Sequence, residues 1–191
     1  MDSTAPGILI LAAGKGSRYI ASGGSGNKLL ASIGDDAQTV IETVIEQAKL
    51  SGLPVALVTR PDYLAVRQHA EKAGVQAVLC ESGGSGESIA AGVAMTGHWN
   101  GWIITLGDMP WLTVDHYRLV KQALEQGAAQ VRLTYKEKPG HPVGFAGRYA
   151  EALRNLQGDE GARALLDPRV LVTLAADADV QRDLDVVAKP R

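Results

Sequence analysis

Five apolar, β-rich runs at 7–12, 55–59, 75–79, 101–106 and 129–135 alternate with stretches of helical periodicity near 40–50, 63–73, 87–96 and 113–126. Strands separated by helices of that length pair in parallel through right-handed crossovers. The pattern predicts a Rossmann-like three-layer α/β/α sandwich with its ligand crevice at the carboxyl ends of the strands. Beyond Gln126 the rhythm changes. Val131 to Tyr135, a polar turn over Lys136 to Gly140, and His141 to Ala146 read as a hairpin, so a mostly parallel sheet gains an antiparallel C-terminal part. Residues 149–167 look helical with a break at Gly158 to Gly161, and Val170 to Leu174 is a last short strand. With no internal repeat and no linker, residues 1–191 are expected to form one domain.

Local signals sharpen the boundaries. Thr39 is an N-cap residue type, and Val40, Val44, Ile45 and Ala48 then mark one apolar stripe that Gly52 and Pro54 stop. Thr113 is placed to cap the helix that follows Gly107-Asp108-Met109-Pro110. Asp108 therefore falls at the end of a buried strand, in the predicted crevice. Glu81 to Gly86 forms a second small-residue loop, leading into a helix that begins near Ser88.

Composition narrows the function. The chain has 191 residues, 46% of them hydrophobic, which is enough for a full core. A formal net charge of -2 argues against a broad nucleic-acid or membrane surface, so anion binding must be local. The single cysteine, Cys80, cannot form an internal disulfide and reads as a buried small apolar residue. The start MDSTAPG lacks the basic segment of a signal peptide, and no apolar run approaches the roughly 20 residues that span a bilayer. A cytoplasmic location is expected.

Local cations cluster at the first strand. Ile8 to Ala12 runs straight into a segment holding Gly14, Lys15, Gly16, Arg18 and Lys28. Glycines let backbone N–H groups approach an anion, and the cations neutralise it, so the loop reads as a nucleotide triphosphate holder. Spacing excludes two alternatives. Tyr19 stands where a dinucleotide fingerprint needs its third glycine, and Lys28 lies between Asn27 and Leu29 rather than in a Gly-Lys-Ser/Thr sequence.

LAAGKGSR at 11–18, NKLL at 27–30, GSGESIAAGV at 84–93, LGDMP at 106–110, HPVGF at 141–145 and GDEGARALL at 158–166 resemble the MobA-like nucleotidyltransferases. Ala12-Ala13-Gly14 is similar to the cytidylyl branch, the MocA-type molybdenum cofactor cytidylyltransferases. The resemblance implies a nucleotide-diphospho-sugar transferase-like fold and transfer of a nucleotide, CMP from CTP in this branch, to a molybdopterin-type acceptor with release of pyrophosphate. It leaves open GTP as donor, a sugar or alditol phosphate as acceptor, and a nucleotide-sensing accessory protein without turnover. A transient contact with a molybdoenzyme or its chaperone also fits.

The implied roles follow the motifs. Leu11, Ala12, Ala13, Gly14, Lys15, Gly16, Ser17 and Arg18 would bind the nucleotide, with Arg18 on the β- and γ-phosphates and Lys28 on the α-phosphate. Gly86 and Ser88 would lie near the base. Asp108 would hold Mg²⁺, joined by Asp185 of the Asp183-Leu184-Asp185 segment. His141 and Arg163 would meet the acceptor. His69, His98 and His116 are scattered, and Trp99, Trp102 and Trp111 fit packing around a strand.

Overall fold

The computed structural model describes residues 5–35, 37–81 and 83–184; Asp185 lies outside the described residues. In chain order the strands and helices are β1 (Gly7–Ala12), α1 (Ser17–Ala21), β2 (Ser32–Ile33), β3 (Gln38–Thr39), α2 (Val40–Leu50), β4 (Val55–Thr59), α3 (Leu64–Lys72) and β5 (Gln76–Leu79). They continue with α4 (Ser85–Met95), β6 (Gly101–Leu106), α5 (Val114–Glu125), β7 (Gln130–Tyr135), β8 (Lys138–Ala146), α6 (Ala150–Arg154) and β9 (Leu171–Ala175). Short 3₁₀ turns cover Lys28–Leu30, Gly147–Tyr149, Gly161–Leu165 and Ala178–Gln181.

The main sheet has the order β5-β4-β1-β6-β8-β7-β9. Every pair is parallel except those made by β8, which runs antiparallel to both β6 and β7. This bears out the mostly parallel Rossmann-like sheet with an antiparallel C-terminal part. The carboxyl ends of β1, β6 and β7 thus share one edge. Side chains alternate across the sheet: Ile8 and Ile10 enter the cluster beneath α2, with Val44, Val120 and Leu133, while Leu9 enters the opposite one with Val58, Ile89, Trp102 and Phe145.

α2 starts where its sequence asks. Thr39 Oγ1 accepts from the Glu42 N–H at 3.3 Å, and Glu42 Oε2 accepts from the Thr39 N–H at 2.8 Å, a reciprocal capping box. β2 and β3 form a two-stranded ribbon that no alternating pattern announces, because each contributes two residues. The stretch 149–167 is less helical than its composition suggests: only Ala150–Arg154 is α-helix, and a 3₁₀ turn follows. Cys80 is half-buried rather than buried, as β5 is the edge strand that leads into it. Trp99 and Trp102 pack in the core, whereas Trp111 lies under the Arg182 guanidinium at 3.7 Å. The acidic tail also packs: Val180 is fully buried, and the Leu184 N–H donates to the Asp108 carbonyl at 2.8 Å.

Candidate active site

β1 ends in the crevice, and three hydrogen bonds fix the turn beyond it. Thr59 Oγ1 donates to the Ala12 carbonyl at 3.0 Å, the Gly107 N–H to the Leu11 carbonyl at 2.8 Å, and the Tyr63 hydroxyl to the Gly14 carbonyl at 2.8 Å. Gly16 takes φ 65°, the left-handed conformation that turns the chain into α1. A Cβ on Gly16 would sit 3.7 Å from Lys28 Cγ, so the Lys28 stem runs along the glycine turn.

The long segment between Arg18 and Lys28 folds back on itself. Gly24 packs under the Tyr19 ring, and the Gly24 N–H donates to the Tyr19 carbonyl at 3.0 Å. Asn27 then caps the 3₁₀ turn through its side chain, accepting from the Leu29 N–H at 3.0 Å. The lysine arrives at the far wall: Lys28 Nζ donates to Asp108 Oδ2 at 2.5 Å, with the two side chains only 14% and 15% exposed. In so dry a setting water screens the pair only weakly. The other carboxylate oxygen, Asp108 Oδ1, is buried with no partner among the described residues. A buried anionic oxygen without a donor is the arrangement a cation completes.

These groups line one cavity of about 350 Å³, bounded by Leu11, Ala12, Ala13, Gly14, Lys15, Gly16, Lys28 and Asp108 on one side and Gly83, Gly84, Ser85, Ser88 and Asp159 on the other. Nine of the sequence-predicted residues therefore meet around one space. Ser17 and Arg18 stand outside that lining, on the exposed first turn of α1. Gly86 is buried behind it. Its Cβ would come within 2.7 Å of the Gln157 carbonyl oxygen and 2.8 Å of the Gly158 one, so close packing on residues 157–158 accounts for the glycine. The Gly86 N–H donates to the Gly158 carbonyl and Ser85 Oγ to the Asp159 carbonyl, which brings Asp159 into the cavity wall. Sequence reasoning missed Asp159, and only the glycines around it hinted at a tight turn.

His141 lies at a register irregularity of β8, between the pairs Thr134–Pro139 and Arg132–Val143. It borders a separate hollow of about 420 Å³ with Met109, Gln181 and Asp183, on the far side of Leu106. Burial lowers its pKa below the usual imidazole value, the Arg132 charge adds to that, and the Asp108 charge opposes it. Arg163 is exposed on the 3₁₀ turn Gly161–Leu165. Arg132 was not anticipated, although an arginine inside the apolar run of β7 is itself a signal. His116 also proved structured: its Nδ1 accepts from the Thr113 N–H at 2.9 Å, which leaves Nε2 to donate to Asp177 at 3.1 Å. Among the described residues no three His, Cys, Asp or Glu side chains gather as a metal cage. No helix among them is long and apolar enough to cross a membrane.

A mostly parallel sheet with a glycine turn, a lysine and a facing strand-end acid around one cavity is the layout of an NTP-using nucleotidyltransferase. The model of the MobA-like NTP transferase domain matches residues 8–177, and the chain belongs to that family. Among solved structures it is similar to Rv0371c from Mycobacterium tuberculosis H37Rv, with 25% identity and a TM-score of 0.81 over 97% of this chain and 95% of that one. A complex of Rv0371c with manganese matches at 23% identity and a TM-score of 0.75, over 95% of this chain and 96% of that one. The nucleotidyl transferase Mth528 from Methanothermobacter thermautotroptrophicus shares the fold at 19% identity and a TM-score of 0.77, covering 92% and 88%. No curated protein matches the chain.

Proposed function

We propose that this protein transfers CMP from CTP to a molybdopterin-type phosphorylated acceptor. An acceptor phosphate oxygen bonds to the α-phosphorus as the bond from that phosphorus to the bridging oxygen breaks, and pyrophosphate leaves with the electron pair. Such a reaction needs positioning and charge neutralisation rather than a covalent nucleophile. The observation that carries the reading is the convergence of the glycine turn, Lys28 and Asp108 on one cavity.

In this reading the backbone of residues 14–16 and the Lys15 ammonium hold the outer phosphates, and Arg18 folds over them from the rim. Lys28, released from Asp108, sits on the α-phosphate and offsets charge that builds during transfer. Gly83, Gly84, Ser85, Ser88 and Asp159 bound the base, where a small pocket favours a pyrimidine. Asp108, whose Oδ1 is buried without a donor, and Asp185 would hold Mg²⁺, an ion that takes only one or two protein carboxylates beside substrate phosphates. When bound, the ion supplies Lewis-acid charge to the phosphate oxygens.

Calorimetric titration with CTP, GTP and ATP, with and without Mg²⁺, reads base preference and metal dependence together. Pyrophosphate release from CTP and molybdopterin is then compared between wild type and Asp108→Ala. CTP binding followed by Asp108-dependent release is expected. Equal weak binding of all three nucleotides would remove the base pocket, and binding without release would leave a nucleotide sensor.

A further inference from the structure

Arg132 is a charged residue inside a strand whose flanking residues Val131 and Leu133 are fully buried. Those neighbours point into the cluster beneath α2, so Arg132 points to the opposite face. On that face Val143 is its register partner, and Gln130 lies two residues before it. The Gln130 amide donates to the Leu165 carbonyl at 2.7 Å and accepts from the Asp167 N–H at 2.8 Å, clamping the 3₁₀ turn that carries Arg163 onto this face.

Arg132 Nε is buried and has no hydrogen-bond partner, and Arg132 makes no ion pair among the described residues. The charge it meets from Arg163 has the same sign, and with burial this lowers its own pKa. Two arginines gathered on one face, with no carboxylate ion-paired to Arg132 among the described residues, make a site that is incomplete without an anion. His141, on the neighbouring stretch of β8, feels both the Arg132 and the Asp108 charges, which ties this face of β7 to the crevice.

We propose that Arg132, together with Arg163, holds the phosphate of the acceptor, a phosphomonoester dianion that enters from the β7–β8 side. The assignment rests on the nucleotidyl-transfer reading for the acceptor's role, and it makes Arg132 the anchor that the motifs did not mark. Its guanidinium fork binds phosphate oxygens, which orients one of them toward the α-phosphorus held by Lys28.

Inorganic phosphate, titrated by calorimetry into wild type, Arg132→Gln and Arg132→Lys, is the direct probe, with CTP titrated separately into each. Arg132→Gln is expected to weaken phosphate binding by about tenfold or more, and Arg132→Lys to restore it only in part, while CTP affinity stays unchanged. Thermal melting of Arg132→Leu separates binding from packing: a phosphate anchor left unpaired in the free protein gives an equal or higher Tm, whereas a structural arginine gives a lower one. Unchanged phosphate affinity in Arg132→Gln would overturn the proposal. So would equal loss of CTP and phosphate binding, displacement of phosphate by CTP, or a lowered Tm in Arg132→Leu. Arg132-dependent phosphate binding without pyrophosphate release in the wild type would instead uphold the site and refute nucleotidyl transfer.

Discussion

The Tyr63 hydroxyl donates to the Gly14 carbonyl at 2.8 Å and so ties the segment between β4 and α3 to the glycine turn after β1. Burial raises the Tyr63 pKa, keeping the phenol protonated and donating. Tyr63→Phe keeps the ring and removes the tie. Stability should fall by about 0.5–1.5 kcal/mol in urea melts, and CTP should bind a few-fold more weakly. Full CTP affinity in a destabilised variant would mean that the turn holds its shape without Tyr63.

Lys28 and Asp108 should behave as one unit. Either Lys28→Met or Asp108→Asn is expected to lower kcat for pyrophosphate release about a hundredfold or more, the scale for a group aimed at developing charge. The double variant should be little worse than the poorer single one, because each loss disables the same step. Steady-state kinetics on the four proteins decide this, and multiplicative losses would show two independent roles.

Two glycines of the site make opposite demands. Gly86→Ala would drive a methyl group against the backbone oxygens of Gln157 and Gly158, so a loss of about 1–3 kcal/mol is expected. Gly14→Ala meets nothing within 4 Å and should leave the melting curve within about 0.5 kcal/mol of wild type, while its methyl group hinders a phosphate at the turn. Melting curves and CTP titrations of both variants test the contrast. A stable Gly86→Ala would contradict the packing of residues 157–158.

His141 predicts an acid limit. Its folded pKa lies below the ordinary value of 6.5, so the unfolded chain takes up a proton first as pH falls. Stability is therefore unaffected above 6.5 and declines from there down toward the folded pKa. His141→Gln should flatten that part of the profile in urea melts at pH values on either side of 6.5. An equally steep decline in the variant would assign the acid sensitivity to another group.

What could be read in the sequence was whatever short stretches specify. Ile8 to Ala12 signals a strand buried on both faces, Thr39 with Glu42 signals a helix start, and the turn after Tyr135 signals the antiparallel strand. Asp108 was found because a strand end puts it in the crevice, and Lys28 through its motif. The rest depends on pairings between distant segments. Nothing near Gly86 says that residues 157–158 will press on it, and nothing near Asp159 says it will wall the cavity at the end of β1. Arg132 becomes informative only once the missing carboxylate is known, and β2 and β3 are too short for any period to emerge.

Insertion of β8 between β6 and β7 divides labour along the chain. In the proposed reaction the turn after β1 and Lys28 would grip the donor's phosphates, whereas β7 and the Gly161–Leu165 turn, from the last third of the polypeptide, would hold the acceptor. On that reading, substitutions confined to the late portion would exchange one phosphorylated partner for another and leave the triphosphate grip intact, a modularity that a single continuous site would lack.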